Sequence, residues 1–386
     1  MLPVPCFLFL DLEKRILLVG GGSGGHIYPL VAVAQALREK ASAGGIDLKL
    51  IIMGASGFIE RAAEENKIPY TIIFAGKFRR YSSFQNIFDF FKIPVSFIQS
   101  FWHIFWFMPD AVFSKGGYDS LIPAIVAKLY FIPVFVHESD SVPGLANTLV
   151  GKISKKIFLS FKTAENFFNL NKIVFTGNPI RKSLVSGDKD SARKIFDLNE
   201  VKPTVFITGG SQGAKIINEV ILSSLIVLTE KFNVIHQCGE SQYKSVKDGV
   251  DTILQEGAQQ YSAPIKKYYR LYPFLDENQF ALAYSLADVI VSRAGASSLF
   301  EIAQLGKPAI IIPISQSPGN HQYLNAFEFS LAGGYLMGES NLNRESLMRE
   351  LSNLLNPEQY VKISERMRAF AAPHAADLIA AELLKP

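Results

Sequence analysis

One pattern constrains this chain more than any other, because it occurs twice. Residues 16–20 (ILLVG) form a short apolar run. A glycine-rich turn follows at residues 20–25, then helical periodicity from about residue 28 to 40. Residues 204–208 (TVFIT) repeat the run, Gly209-Gly210-Ser211-Gln212-Gly213 repeats the turn, and residues 214–230 repeat the amphipathic helix. Such a run reads as a strand buried on both faces, which needs a sheet covered by helices on both sides. Glycine in the turn lets the backbone reverse sharply and lets a ligand approach with no Cβ in the way. The helix that follows presents unpaired N–H groups and the positive end of its dipole, which suits phosphate.

Further apolar runs at 47–53, 70–74, 111–114, 134–138, 156–159 and 172–176 extend the first copy, with a second helix over 55–66. Runs at 233–237, 269–273, 289–292 and 309–313 extend the second. Strands alternating with helices predict the α/β class: two Rossmann-like domains with parallel sheets facing a central cleft. A chain of 386 residues, 48% of them apolar, has the length and composition for two cores. The pattern breaks at Gly177-Asn178-Pro179-Ile180-Arg181, placing one domain at 1–177 and the other at 178–356. Residues 357–384 read as one long final helix.

The formal charge of +4 carries no long basic run, which excludes nucleic acid as the main partner and permits a phosphorylated ligand. Cys6 and Cys238 are too few and too far apart for a disulfide framework or metal cluster, so a reducing compartment is expected. Residues 1–15 read as a loose extension. Their apolar run at 6–10 is too short for a signal sequence and lacks a basic flank. No apolar run reaches the roughly 18 residues of a membrane-spanning helix.

Gly20, Gly22 and Gly25 match a dinucleotide-binding glycine pattern. That site usually adds an acidic residue at the end of the second strand. Here the strand ends Met53-Gly54-Ala55-Ser56, and Asp47 stands at its beginning. Nicotinamide chemistry is therefore the weaker reading. In the second copy, Gly295-Ala296-Ser297-Ser298 opens a helix after the strand at 289–292, a seat for a diphosphate. Glu301 follows one turn later, placed to accept from ribose hydroxyls; alternatively, Ser297 or Ser298 caps the helix and Glu301 supports the cap. Gly210, Ser211 and Gln212 face the same phosphates from the second glycine turn. Arg181 adds charge there or is a surface residue after a turn. Arg293 serves phosphate or the domain surface. Asp188-Lys189-Asp190 is the only DxD, and its setting before a helix reads as a cap.

Transfer to a hydroxyl would need a base. His26, directly after the first glycine loop, is one candidate; it otherwise caps the first helix. Glu138, at the carboxyl end of its strand, is the other. His137 points to the opposite side and reads as packing.

Six blocks then appear in order: GGGSGGHIYPLVAVAQAL (20–37), KGGYDS (115–120), HESDSVPGLAN (137–147), GNPIR (177–181), GGSQGA (209–214), and SRAGASSLFEIAQLGKPAIIIPI with NHQYLNA (292–326). From about residue 16 to the C-terminus the chain resembles the undecaprenyl-diphospho-muramoylpentapeptide β-N-acetylglucosaminyltransferase (MurG) family. The resemblance implies the two-domain glycosyltransferase B fold, UDP-N-acetylglucosamine as donor, lipid I as acceptor, and inversion to give lipid II. It implies no cofactor or metal, and a peripheral enzyme on the anionic cytoplasmic face of the bacterial plasma membrane. It also implies that residues 357–386 return to the first domain. By the same resemblance Ser23, Gly24 and Gly25 meet the donor; Leu275 reads the uracil through its backbone and Gln322 bonds the sugar hydroxyls. Gly24, Gly25, His26, Tyr118 and Asn147 meet the acceptor. Asp140 departs from the family, whose usual HEQN reads HESD here; a carboxylate accepts but does not donate.

Residues 74–108 are rich in aromatics, including Phe84, Phe88 and Phe91, with Lys77, Arg79, Arg80 and Lys92 nearby. Aromatics beside cations suit an anionic lipid surface. The aromatics at 84–91 are expected to be more exposed than those at 102–107.

Overall fold

The computed structural model describes residues 12–22, 24–75, 84–198, 202–210, 212–257 and 259–385. In the first half, β1 (Leu12–Val19), β2 (Ile46–Gly54), β3 (Tyr70–Ile72), β4 (Ala111–Ser114), β5 (Val134–Glu138), β6 (Lys156–Leu159) and β7 (Ile173–Phe175) alternate with α1 (Gly24–Ala43), α2 (Phe58–Glu65), α3 (Phe84–Phe107), α4 (Leu121–Leu129) and α5 (Leu145–Ile153). In the second half the strands are β8 (Thr204–Thr208), β9 (Asn233–Gln237), β10 (Tyr269–Tyr272), β11 (Val289–Ser292), β12 (Ala309–Ile311) and β13 (Tyr335–Leu336). They alternate with α6 (Lys189–Phe196), α7 (Lys215–Lys231), α8 (Tyr243–Glu256), α9 (Gln259–Tyr268), α10 (Glu277–Leu286), α11 (Ala296–Leu305), α12 (His321–Leu331) and α13 (Arg344–Leu354). The chain ends with α14 (Pro357–Phe370) and α15 (Ala375–Leu383).

Among the described residues the strands form two sheets, ordered β3-β2-β1-β4-β5-β6-β7 and β10-β9-β8-β11-β12-β13. Every recorded pairing is parallel. In both sheets the strand order reverses beside the opening strand, at β1/β4 and β8/β11, where a ligand crevice forms at the carboxyl ends. Helices cover both faces of each sheet. On one face of the first, Ile27, Leu30 and Val31 of α1 pack with Ile16 and Leu18; on the other, Leu17 and Val19 pack with Ile104, Val126 and Val150.

The chain passes between the halves twice, and the two crossings touch. Gly177 has φ +76°, and a Cβ there would lie 2.0 Å from the Cβ of Ala372, so glycine is required on both counts. The expected single final helix is two. Pro373 disfavours helical backbone before it, and Ala371 turns extended (ψ 149°), ending α14. Met367 of α14 is buried in the second core, whereas Ile379, Ala380 and Leu383 of α15 are buried with α1 in the first.

A further expectation changes. β1 begins at Leu12, so residues 12–15 are strand rather than loose extension; the register continues to Leu12↔Ile46. On α3 the aromatics at 102–107 do not form a core. Ile104 is buried, but Trp102 is 54% and Trp106 75% exposed, in one patch with Phe97, Phe101 and Phe105. These residues spread around the exposed half of the helix, and Ser96, Ser100 and Ile104, spaced by four, form its buried stripe. Phe101 and Phe105 pack on Tyr130, with ring centroids 5.1 and 6.5 Å away. Beyond it stand exposed Leu129 and Phe131, and a shallow hollow lined by Lys128, Lys152, Lys155 and Lys172. Lys77, Arg79, Arg80 and the side chains of Phe84, Phe88 and Phe91 lie outside the described residues. No helix among the described residues is long and apolar enough to cross a membrane.

Candidate active site

Carboxyl ends from both sheets border one cleft of about 410 Å³. Lys115 enters it from just after β4, Glu138 from β5, Thr208 from β8, Gln237 from β9 and Gly295 from the loop after β11. Of the residues expected from sequence, Gly24, Gly25, His26, Glu138, Asp140, Arg181, Gly210, Leu275, Gly295, Ala296, Ser297, Ser298 and Glu301 all line it. Ser23 and Ser211 lie outside the described residues.

On the second-domain wall, α11 starts from an extended Gly295 (φ −69°, ψ 132°) with no side-chain cap, so its first N–H groups are left for a ligand. This removes the reading in which a serine caps the helix. Glu301 is buried on the cleft wall, and Tyr284 Oη donates to its Oε2 at 3.0 Å. Burial pushes its carboxyl up to about 7, against the opposing effects of Arg181 and the Tyr284 bond. Arg181 is buried rather than surface-exposed. Its Nη1 meets Glu277 Oε2 at 2.5 Å, and its guanidinium lies 3.8 Å from the Tyr28 ring centroid. It thus ties α1 of the first domain to α10 of the second. Its Nε has no partner among the described residues.

Several expected contacts take another form. Leu275 lines the cleft, and its N–H donates to Gln237 Oε1 (3.1 Å). Gln237 Nε2 in turn reaches Thr208 Oγ1 and the Gly210 carbonyl, each at 3.4 Å. Arg293 faces away from the cleft, paired with Glu339 (2.7 Å) and the Ile312 carbonyl (3.1 Å). Gln322 Oε1 accepts from the Ile314 N–H (3.1 Å) and braces its own loop. Gln212 is exposed, and its carbonyl accepts from Ser241 Oγ (3.3 Å). None of these last three lines the cleft. Asp188 caps α6, accepting from the Ser191 N–H at 2.7 Å, as its setting predicted.

On the first-domain wall, His26 sits in the first turn of α1, half-buried. Burial, with Lys115 adding to it and Asp140 opposing, holds its imidazole down at about 4, so the ring is neutral near pH 7. Glu138 is buried and already engaged: Oε1 accepts from the Asp140 N–H (2.9 Å), and Oε2 from Asn147 Nδ2 (2.9 Å) and the Gly144 N–H (3.3 Å). Burial, then Asp140, pushes it up to about 7. Asn147 therefore stands behind Glu138 rather than on the cleft wall, because its amide completes that carboxylate's bonds. Tyr118 covers the glycine loop instead: a Cβ on Gly22 would lie 2.8 Å from its ring. His137 is fully buried on the far side of β5, bonded to the Gly177 carbonyl at 2.9 Å, in agreement with a packing role.

Sequence reasoning missed Lys115, Tyr28, Gln237, Phe274, Glu277 and Asn325. Lys115 and Gln237 had a usable signal, since each stands at the carboxyl end of a strand. Asn325 had none: it reaches from α12 to accept from the Ser141 N–H and Oγ (both 2.8 Å) and to donate to Asp140 Oδ1 (2.8 Å), bridging the domains.

Fold, cleft and two family models together define a two-domain glycosyltransferase. The glycosyltransferase family 28 N-terminal domain matches residues 16–159 and the glycosyltransferase family 28 C-terminal domain matches residues 204–381. A Treponema denticola UDP-N-acetylglucosamine–N-acetylmuramyl-(pentapeptide) pyrophosphoryl-undecaprenol N-acetylglucosamine transferase is 33% identical over 378 residues, covering 94% of this chain and 93% of the relative. The Legionella pneumophila protein of the same name is 35% identical over 373 residues, 96% of each. The crystal structure of Acinetobacter baumannii MurG superposes with a TM-score of 0.70 at 25% identity, covering 97% of this chain and all of that one. A Neisseria meningitidis UDP-GlcNAc 2-epimerase superposes at 0.69 with 16% identity, a likeness of fold alone. The chain belongs to the MurG family of glycosyltransferases and has the glycosyltransferase B fold.

Proposed function

We propose that this chain transfers N-acetylglucosamine from UDP-N-acetylglucosamine to lipid I with inversion, forming lipid II. The observation that carries the reading is the opposition of two walls across one cleft. The open N-terminus of α11, with Glu301 and Arg181 beside it, faces His26 and the start of α1. In the reaction the acceptor hydroxyl oxygen attacks the anomeric carbon from the face opposite UDP. The new C–O bond forms as the bond to the diphosphate breaks, and the hydroxyl proton passes to the base. His26, which lines the cleft in the first turn of α1 and is unprotonated near neutrality, is the group this reading assigns as base. Developing charge on the diphosphate meets the N–H groups of α11 and the Arg181 guanidinium, fixed dipoles and charge that need no reorganisation. No step requires a metal.

The reading places the enzyme peripherally on the cytoplasmic face of the plasma membrane, where lipid I would be reached. The exposed aromatic face of α3 and the neighbouring lysines support this, as apolar area beside cations suits an anionic surface. The test is to incubate the protein with UDP-N-acetylglucosamine and a lipid I analogue and follow products by mass spectrometry. The expected product is the disaccharide, one N-acetylhexosamine heavier than the acceptor. Release of free sugar or an isomerised donor, with the acceptor unchanged, overturns the proposal.

A further inference from the structure

The transfer reading sets Arg181 against the diphosphate, so whatever holds its guanidinium decides how that charge is delivered. Two residues hold it, one from each domain. Glu277, the first residue of α10, pairs with Nη1 at 2.5 Å and accepts a hydrogen bond from Ser183 Oγ. Tyr28 of α1 offers its ring, whose centroid lies 3.8 Å from the guanidinium carbon. All three of Tyr28, Arg181 and Glu277 line the cleft. At that distance the cation meets the negative face of the ring, an attraction that grows as water is excluded. The Arg181 side chain is 7% exposed. Burial pushes the Tyr28 phenol up, with Arg181 opposing, so the ring is neutral and the contact is not an ion pair. Glycine at position 24 gives the ring its room, since a Cβ there would lie 3.2 Å from Tyr28 Cε2.

The two contacts act differently on the charge. Glu277 offsets it, and alone would draw the guanidinium toward α10 as a neutral pair. The ring carries no net charge, so it fixes the plane of the guanidinium without cancelling its attraction for an anion. We propose that Tyr28 is a positioning residue for the diphosphate: its ring holds the Arg181 guanidinium from the first domain, so that the charge meeting the departing UDP is set where the two domains come together. The proposal rests on the glycosyl-transfer reading for the identity of the ligand; the coupling of Tyr28 to Arg181 does not.

The test measures binding of UDP and of uridine by calorimetry on the full chain, for the parent, Tyr28→Leu, Tyr28→Phe, Arg181→Met and the double variant Tyr28→Leu with Arg181→Met. Tyr28→Leu is expected to weaken UDP about fivefold or more and uridine less than ~twofold, because uridine brings no phosphate to Arg181. Tyr28→Phe keeps the ring face and should regain most of that loss. Beside Arg181→Met, Tyr28→Leu should cost less than ~twofold, because the group it acts through is gone. Parental UDP affinity in Tyr28→Leu overturns the proposal, as does a loss equal for uridine and UDP, which a general lesion of the fold would give. A loss shared by Tyr28→Phe, or one undiminished beside Arg181→Met, overturns it too. If Tyr28→Leu does not fold, Tyr28→Met is read by the same outcomes; if Arg181→Met does not fold, the comparison with uridine decides. A parent that binds no UDP defeats the donor reading, and urea unfolding of the same proteins then decides the coupling. Less than additive losses in the double variant support it, and additive losses overturn it.

Discussion

His26 and Glu138 enter the sequence as equal candidates for the base, and their surroundings separate them. Glu138 is enclosed by three donors that hold the 139–147 loop, so its loss should loosen geometry before it touches proton transfer. His26 lines the cleft as a neutral ring. His26→Gln is expected to lower kcat by about 10²–10⁴ while donor affinity stays within a few-fold, measured by steady-state kinetics and calorimetry. Retention of most turnover would exclude the histidine as base. Glu301 makes a second prediction. Glu301→Ala should weaken UDP-N-acetylglucosamine at least tenfold, about 1.4 kcal/mol. Burial has raised its carboxyl to about 7 from an ordinary 4.5, so it is mostly protonated at pH 6 and mostly ionised at pH 8. An ionised carboxylate is the stronger acceptor for ribose hydroxyls. Donor affinity should therefore rise between pH 6 and 8 in the parent and stay flat in Glu301→Gln; the donor's diphosphate diester does not titrate in that window. Stability has the opposite sign: for a raised carboxyl it is present in full below 4.5 and lost as pH rises through about 7. Glu301→Gln should then gain on the parent in urea unfolding from pH 5 to 8. Glu301, Gly295 and His26 were legible because a glycine turn leading into a helix is a local signal. Tyr28 and Asn325 take their roles from contacts across the fold, which local pattern does not encode.

At the scale of elements, buried parallel strands read clearly, since a run such as VIVS or TVFIT has no polar face to place in water. β4, β5, β6, β8, β9 and β11 fall at the expected residues. β13 is two residues long and carries no pattern of its own; it exists because β12 offers an edge, pairing Ile310 with Tyr335. The helix starts were less visible. α1 begins at Gly24, four residues before its periodicity, because the glycines enter the helix and carry no side chains to mark a face. The end of the chain shows the same limit. Apolar spacing continues from α14 into α15, and only the break before Pro373 lets the two pack in different cores. This gives α15 a measurable weight. Leu383 is 2% exposed and packs with Ile379 and Ala380 against the α1 side of the first sheet. Leu383→Ala should cost about 2–5 kcal/mol in urea unfolding, the range for a buried leucine whose cavity does not collapse. A change below ~0.5 kcal/mol would mean that α15 contributes little to the first core.

Taken whole, the molecule is lopsided: its exposed apolar area is concentrated on the first domain, whereas the wall proposed for the donor belongs to the second. Large aromatics facing water together call for a partner. The α3 face gathers Phe97, Phe101, Trp102, Phe105 and Trp106, continued by Leu129 and Phe131, with four lysines around the adjoining hollow. A lipid-linked acceptor would give this arrangement its use, because a domain resting on the bilayer can receive a headgroup while the other meets a soluble nucleotide sugar. Two contributions to such docking respond differently. Charge attraction, roughly 1 kcal/mol per basic residue near the surface, is screened by salt. Aromatic burial follows buried area and is not. Sedimentation with anionic vesicles should therefore weaken, but not vanish, as salt rises. Replacing Lys128, Lys152 and Lys155 with Ser should reduce the salt-sensitive part. Trp102→Ser with Trp106→Ser should remove most of the remainder, and because both rings are more than half exposed, the fold should survive. The soluble UDP-N-acetylglucosamine affinity of every variant should match the parent, since the donor wall lies on the other domain. Vesicle binding indifferent to salt, to the lysines and to both tryptophans would show that this face is not how the protein meets lipid.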